Sequence, residues 1–115
     1  MPVGYIHVPE GCVHGSNINY YNDLSIQECA VICNNNPLCL GFEYGVDHGS
    51  TAGDAYGARD CTTQNSADYE NCDGARFNLD FYLKSRNYIK KLSLQNYCLK
   101  RLADIRRTLN DNSIF

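Results

Sequence analysis

Residues 25–44 read SIQECAVICNNNPLCLGFEY, and this stretch predicts a short helix followed by a β-strand. Ser25 and Glu28 have the spacing of a capping box, in which each side chain satisfies a backbone N–H of the other residue. Behind them, four residues at i, i+3, i+4 and i+7 form one helical face: Ile26, Cys29, Ala30 and Cys33. Pro37 ends the helix, because the residue before a proline is pushed out of the α region.

Period-two patterns on both sides of this helix predict strands. In the stretch from Leu38 to Val46, three residues share one face: Leu40, Phe42 and Tyr44. In the stretch from Phe77 to Leu83, four residues share one face: Phe77, Leu79, Phe81 and Leu83. Weaker strand patterns occupy Tyr5–Val8, Asn17–Tyr21 and Cys61–Gln64. We therefore predict an α+β fold, an antiparallel sheet with one helix packed across it.

Seven cysteines in 115 residues indicate either a disulfide framework or a metal site. Structural zinc favours two tight cysteine pairs, or a cysteine pair followed by a histidine pair. Only Cys29 and Cys33 are close in sequence, and the three histidines are scattered, so we expect disulfides, no metal and an oxidising compartment. Because Cys29 and Cys33 share a helix face, each needs a separate partner, and six cysteines allow fifteen pairings before this restriction.

Charge divides the chain into an acidic body and a basic tail. Residues 1–83 hold two basic and eleven acidic side chains, a formal charge of −9, whereas residues 84–115 hold eight basic and two acidic ones, +6. We predict a domain over residues 1–84, then a connector and an amphipathic helix over residues 85–115. The apolar stripe of that helix consists of Leu94, Cys98, Leu102, Ile105 and Leu109.

The tail stripe has two interpretations. It packs on the chain's own domain, with Cys98 as a buried free thiol, or it pairs with a second copy through residues 94–109, with Cys98 forming an intermolecular bond. We favour the homodimer, because a regular apolar stripe after a complete domain needs a partner surface.

A glycine-rich stretch, GVDHGSTAGDAYGARD at residues 45–60, predicts a long loop and is our candidate ligand-contact surface. Its candidate binding residues are Asp47, His48, Asp54, Tyr56 and Arg59. No apolar run has the length of a membrane span. The N-terminus lacks the pattern of a signal peptide. If the protein is secreted, we expect that its signal peptide has been removed from this chain. We expect neither a cofactor nor a nucleic-acid partner.

The order of these motifs resembles a PAN/apple domain over about residues 5–84. The resemblance rests on Glu28-Cys29-x3-Cys33-x5-Cys39-x-Gly41-Phe42-x-Tyr44, on Asp60-Cys61, Ser66-Ala67-Asp68 and Cys72, and on Asn78-Leu79-Asp80-Phe81-Tyr82. It implies that the helix cysteines bond as Cys29–Cys61 and Cys33–Cys39, and that Cys12–Cys72 joins the N- and C-terminal strands. The tail from Ser85 onward matches nothing in this pattern.

The resemblance also implies a secreted, non-catalytic binding or adhesion module that recognises a glycan or an extracellular protein. Two other functions compete with it. One is an extracellular structural protein that self-assembles through its tail. The other is an enzyme that uses Cys98 as nucleophile with His7, His14 or His48 as base, which we do not expect, because no His–Asn/Asp signature accompanies Cys98.

Overall fold

The computed structural model describes residues 2–85, and these residues contain five β-strands and two short helices. In chain order the elements are β1 (Tyr5–Val8), β2 (Asn17–Tyr21), α1 (Ile26–Asn34), β3 (Gly41–Gly45), β4 (Cys61–Gln64), α2 (Gly74–Phe77) and β5 (Leu79–Lys84). The predicted α+β class is confirmed. The three weaker strand predictions coincide with β1, β2 and β4, and no helix within residues 2–85 is long and apolar enough to cross a membrane.

The strands form one sheet in the order β1-β5-β3-β4-β2, with every neighbouring pair antiparallel. β1 pairs with β5, with Tyr5 opposite Lys84, and both strands belong to one compact unit. β3 lies at the centre, with β4 on one side and β5 on the other. The backbone of β3 is therefore paired along both of its edges, and all five of its residues are buried.

Helix α1 begins where the capping box predicts. Ser25 Oγ accepts a hydrogen bond from the Glu28 N–H at 3.0 Å, and Glu28 Oε1 accepts one from the Ser25 N–H at 2.9 Å. The helix ends at Asn34, before Pro37, and buries Cys29, Ala30 and Cys33. Local sequence thus fixes the helix and aims both cysteines at the sheet.

An aromatic cluster fills the space between α1 and the sheet. Phe42 is fully buried and stacks on Tyr82 at 5.0 Å between ring centroids, and Tyr5 meets it edge-on at 5.2 Å. The Tyr5 hydroxyl donates a 2.8 Å hydrogen bond to Asn34 Oδ1 at the end of α1. Aromatic pairs of this geometry add stabilisation beyond the apolar area that they bury.

The opposite face of the sheet is also covered, and it is partly polar. Glu43 stands opposite Thr62 on β4 and Phe81 on β5, so the three side chains share this face. All three are buried, together with Gln64. Val13, from the segment between β1 and β2, is buried as well and donates its backbone N–H to Glu43 Oε2 at 2.9 Å.

Two predictions were wrong at the same position: the domain has a second helix, and the strand does not begin at Phe77. Phe77 is the last residue of α2, and β5 begins two residues later at Leu79. Asp73 caps α2 by accepting a hydrogen bond from the Arg76 N–H, and Asn78 follows in the left-handed region with φ 56°. Hydrophobic alternation led us to include Phe77 in the predicted strand. The caps Asp73 and Asn78 instead make this segment a short helix.

Candidate functional site

Three disulfides tie the covering segments to the sheet. Cys29–Cys61 joins α1 to β4, Cys33–Cys39 closes the turn after α1, and Cys12–Cys72 links the segments before β2 and before α2. Their Cα atoms lie 6.1, 5.3 and 5.4 Å apart, respectively, within the normal range. These are the three pairs that the resemblance to PAN/apple domains implies, but Cys12 and Cys72 lie in connecting segments and not in the N- and C-terminal strands. Cys98 and the stripe residues Leu94, Leu102, Ile105 and Leu109 lie outside the described residues.

The loop of residues 46–60 is held on the sheet by backbone hydrogen bonds at both ends. Gly45 donates to Asp60 O at 2.8 Å and accepts from the Arg59 N–H at 3.0 Å. In the middle, Tyr56 donates its N–H to Phe77 O at 2.8 Å. The loop is therefore a fixed surface that positions its side chains.

Asp80 on β5 anchors the beginning of this loop. His48 Nε2 lies 2.7 Å from Asp80 Oδ1, and His7 Nε2 lies 2.7 Å from Asp80 Oδ2. The Glu10 N–H also donates to Asp80 Oδ1, at 2.8 Å. Burial opposes ionisation of Asp80, but these hydrogen bonds outweigh it and hold its pKa below the ordinary value. The carboxylate thus joins three segments of the chain.

The five predicted binding residues do not form one cluster. Asp54 and Tyr56 line the same groove, whereas the other three make structural contacts. Asp47 Oδ1 accepts the Gly49 N–H at 2.9 Å, which is an Asx turn. His48 binds Asp80, and Arg59 Nε donates to Asp23 Oδ1 at 2.7 Å.

The groove that contains Asp54 and Tyr56 is an open surface depression of approximately 390 Å³, which we call the tyrosine groove. It is lined by Tyr20, Asp54, Ala55, Tyr56, Gly57 and Asp60. Tyr20 comes from β2, so one strand and one loop form the walls. Sequence reasoning missed Tyr20, because only the β2–β4 pairing brings residue 20 beside residues 54–60. It did not single out Asp60, although Asp60 lies at the end of the predicted loop.

Hydrogen bonds fix the geometry of the tyrosine groove. The Tyr20 hydroxyl donates to Asp60 Oδ2 at 2.8 Å, and the Gly57 N–H donates to the same oxygen at 2.8 Å. The rings of Tyr20 and Tyr56 lie 6.1 Å apart at 56°, and Tyr20 is 54% exposed. The hydrogen bond to Asp60 raises the pKa of Tyr20, and burial raises that of Tyr56, so both phenols are neutral at physiological pH.

A second, more enclosed depression lies on the polar face of the sheet, and we call it the Glu43 cleft. Its volume is approximately 160 Å³. It is lined by Cys12, Val13, His14, Gly15, Asn17, Glu43, Tyr56, Cys72, Phe77 and Leu79. Tyr56 contributes to both depressions and forms a common wall.

Glu43 is the unusual group of this cleft, since it is a carboxylic acid with 3% exposure. Its Oε2 accepts the Val13 N–H at 2.9 Å, and its Oε1 accepts from Gln64 Nε2 at 2.6 Å. Burial raises its pKa to about 7, although these two donors and the nearby His14 act in the opposite direction. No residue pattern indicated this site, because the segment that covers Glu43 is distant in sequence.

Within residues 2–85 no three histidine, cysteine, aspartate or glutamate side chains form a group that could hold a metal ion. His7 and His48 share Asp80, and His14 Nε2 lies within hydrogen-bond distance of Asn71 O. Each of the three histidines considered as a base for Cys98 thus has a partner within the described part of the chain.

No protein-family model matches this sequence, and searches among curated proteins and among solved structures gave no significant match.

Proposed function

We propose that this protein is a non-catalytic, extracellular binding module of the PAN/apple type that recognises a glycan through the tyrosine groove. The arrangement of the three disulfides around a five-stranded antiparallel sheet supports the assignment to this type. Three disulfides in so short a chain also fit an extracellular environment.

The observation that carries the glycan proposal is the composition of the tyrosine groove. Tyr20 and Tyr56 offer aromatic surface, which packs against the C–H faces of a sugar ring. Asp54 and Asp60 offer carboxylate oxygens, which accept strong hydrogen bonds from sugar hydroxyls. A rigid apolar platform bordered by a few polar groups is the usual form of a small-ligand site.

The surroundings of the groove favour a neutral sugar. Asp54 already lies 3.4 Å from Arg76 Nη2, so its charge is partly balanced. Asp60 is engaged by Tyr20 and by the Gly57 N–H. Anionic glycans would meet two carboxylates at this surface, which disfavours them electrostatically.

The experiment is a glycan array with the full chain, followed by titration of the strongest ligand against variants. Tyr20→Ala should weaken binding at least about tenfold, because it removes the exposed half of the aromatic platform. Tyr69→Ala is the matched control, since Tyr69 is also a partly exposed tyrosine, 37%, but lies outside the groove. An array without any bound glycan, or equal losses in the two variants, would refute the proposal.

A further inference from the structure

The Glu43 carboxyl is buried and forms no ion pair among residues 2–85, although His14 lines the same cleft. Four ion pairs occur in this part of the chain, and they use Asp23, Asp54 and Asp80 as the acids. A buried carboxylate without a counter-charge is costly, so such groups in proteins are normally paired or neutralised by a proton. Glu43 therefore needs an explanation that hydrogen bonding alone does not give.

The neighbours of Glu43 use its carboxyl group as a hydrogen-bond acceptor. Both of its oxygens receive N–H donors, from Val13 and from Gln64, and the second Gln64 Nε2 proton is used by Asn17 Oδ1 at 2.7 Å. A carboxylate has about four lone-pair positions, so two acceptor positions remain after these bonds. Because Glu43 lines the cleft, a ligand that enters the cleft reaches this group.

The size and walls of the cleft limit what can enter. A cavity of about 150 Å³ holds a molecule of roughly the size of benzene, with six heavy atoms. The butylammonium end of a lysine side chain has five, whereas an amino sugar ring with its substituents has about twice as many. Apolar walls from Val13, Phe77 and Leu79 suit methylene groups, and the Tyr56 ring suits a cation.

We propose that the Glu43 cleft is a binding site for a primary alkylammonium group, the end of a lysine side chain on an extracellular protein partner. The ammonium supplies the missing counter-charge to Glu43, and its methylenes lie along the apolar wall. This site is distinct from the proposed glycan groove, and the proposal does not depend on it.

The test is an NMR titration of the ¹⁵N-labelled full chain with Nα-acetyl-lysine methylamide. We expect saturable shifts of the Val13 backbone amide and the Gln64 side-chain amide, since both donate to Glu43. The Nε-acetylated derivative, which has no charge, should cause no such shifts. Nα-acetyl-arginine methylamide and glucosamine, whose cationic portions are larger, should bind at least about tenfold more weakly than the lysine derivative.

Two variants complete the test. Glu43→Gln should weaken lysine binding at least about tenfold, because it removes the charge while keeping an acceptor for Val13. Glu70→Gln is the matched control, as it removes an exposed carboxylate outside the cleft and should bind like the wild type. No saturable shift in the wild type, equal binding by Glu43→Gln, or an equal response to the neutral derivative would overturn the proposal.

A pH series on the wild type keeps the proposal testable if Glu43→Gln does not fold. Affinity for the lysine derivative should rise at least about tenfold between pH 5 and pH 8, as Glu43 becomes ionised. The titratable groups next to Glu43 are His14 and Tyr56, and the rise is assigned to Glu43. His14→Gln should therefore retain most of the increase, and pH-independent binding would overturn the proposal.

Discussion

Asp80 on β5 and His48 in the long loop are joined by a 2.7 Å contact between Oδ1 and Nε2, and this contact fixes where the loop leaves the sheet. The next residues of the loop are held by Asn78, whose Oδ1 accepts the N–H groups of His48 and Ser50 at 3.1 Å. One end of the loop that carries Asp54 and Tyr56 is thus tied to β5 and to the residue before it.

Asp80→Asn should destabilise the fold by about 1–3 kcal/mol, because an amide cannot accept from the three donors that Asp80 serves. The lowered pKa of Asp80 sets the sign of the pH effect. Its stabilisation is present above the unfolded pKa, near 4, and is lost as pH falls below it. Urea unfolding between pH 2.5 and 7 should therefore show a smaller loss of stability at the acid end for Asp80→Asn.

The control for this prediction is Asp68→Asn, which changes an exposed aspartate in the same way. It should keep the wild-type stability within about 0.5 kcal/mol. An Asp80→Asn protein as stable as this control would show that the three hydrogen bonds contribute nothing net.

Gly45→Ala should destabilise the protein by at least about 2 kcal/mol. A Cβ at this position would overlap Gly57 O, a backbone atom, so the loop would have to move. At Gly53 no described heavy atom lies within 4 Å of an added Cβ, and Gly53→Ala is therefore the matched control. The measurement is the midpoint of urea unfolding for both variants, compared at an unchanged denaturant dependence of the unfolding free energy. Equal midpoints for Gly45→Ala and Gly53→Ala would contradict the close contact at Gly45.

Removal of each disulfide by a double Cys→Ser substitution should follow the length of the chain segment that it closes. The separations are 60 residues for Cys12–Cys72, 32 for Cys29–Cys61 and 6 for Cys33–Cys39. The chain-entropy relation then gives losses of roughly 4.3, 3.7 and 2.2 kcal/mol, respectively. Thermal unfolding of the three variants should rank them in this order, and the smallest effect for Cys12–Cys72 would contradict the entropic explanation.

The helix and the strand positions could be predicted from the sequence, because local interactions determine them. Ser25 and Glu28 mark the start of α1, and Pro37 limits its end, within a dozen residues. Alternation located β3 and most of β5, although it included Phe77 where the caps Asp73 and Asn78 form α2. At the ends of strands, capping residues can therefore override the conformation that hydrophobic alternation predicts.

The candidate sites were only partly predictable, because they depend on contacts between distant segments. Tyr56 and Asp54 belong to a recognisable loop, but Tyr20 joins them only through strand pairing. Alternation placed Glu43 on the face opposite Phe42 and Tyr44. It gave no sign that this face is covered too, since Val13 reaches it from thirty residues away.

The pH dependence of stability above pH 4.5 should carry the signature of Glu43. Its pKa rises from 4.5 to about 7 on folding, so the folded protein retains a proton that the unfolded chain has released. Stability must therefore fall as pH rises between these values and become constant above about pH 7, by on the order of 3 kcal/mol in total. This decrease of stability with rising pH is opposite in sign to the contribution of Asp80, which increases stability with rising pH and does so at lower pH values.

Glu43→Gln should remove this slope and be more stable than the wild type at pH 8. Gln64 Oε1 is buried and has no hydrogen-bond partner among the described residues, so a rotated Gln64 amide can accept the N–H that the substituted side chain would offer, and a matching rotation of the Asn17 amide restores the bond between Asn17 and Gln64. Val13 keeps an acceptor in the new side chain. Urea unfolding at pH 5, 6, 7 and 8 compares the wild type, Glu43→Gln and the exposed control Glu70→Gln. A wild type whose stability does not fall over this range, or a control that loses the slope as well, would contradict the assignment of the effect to Glu43.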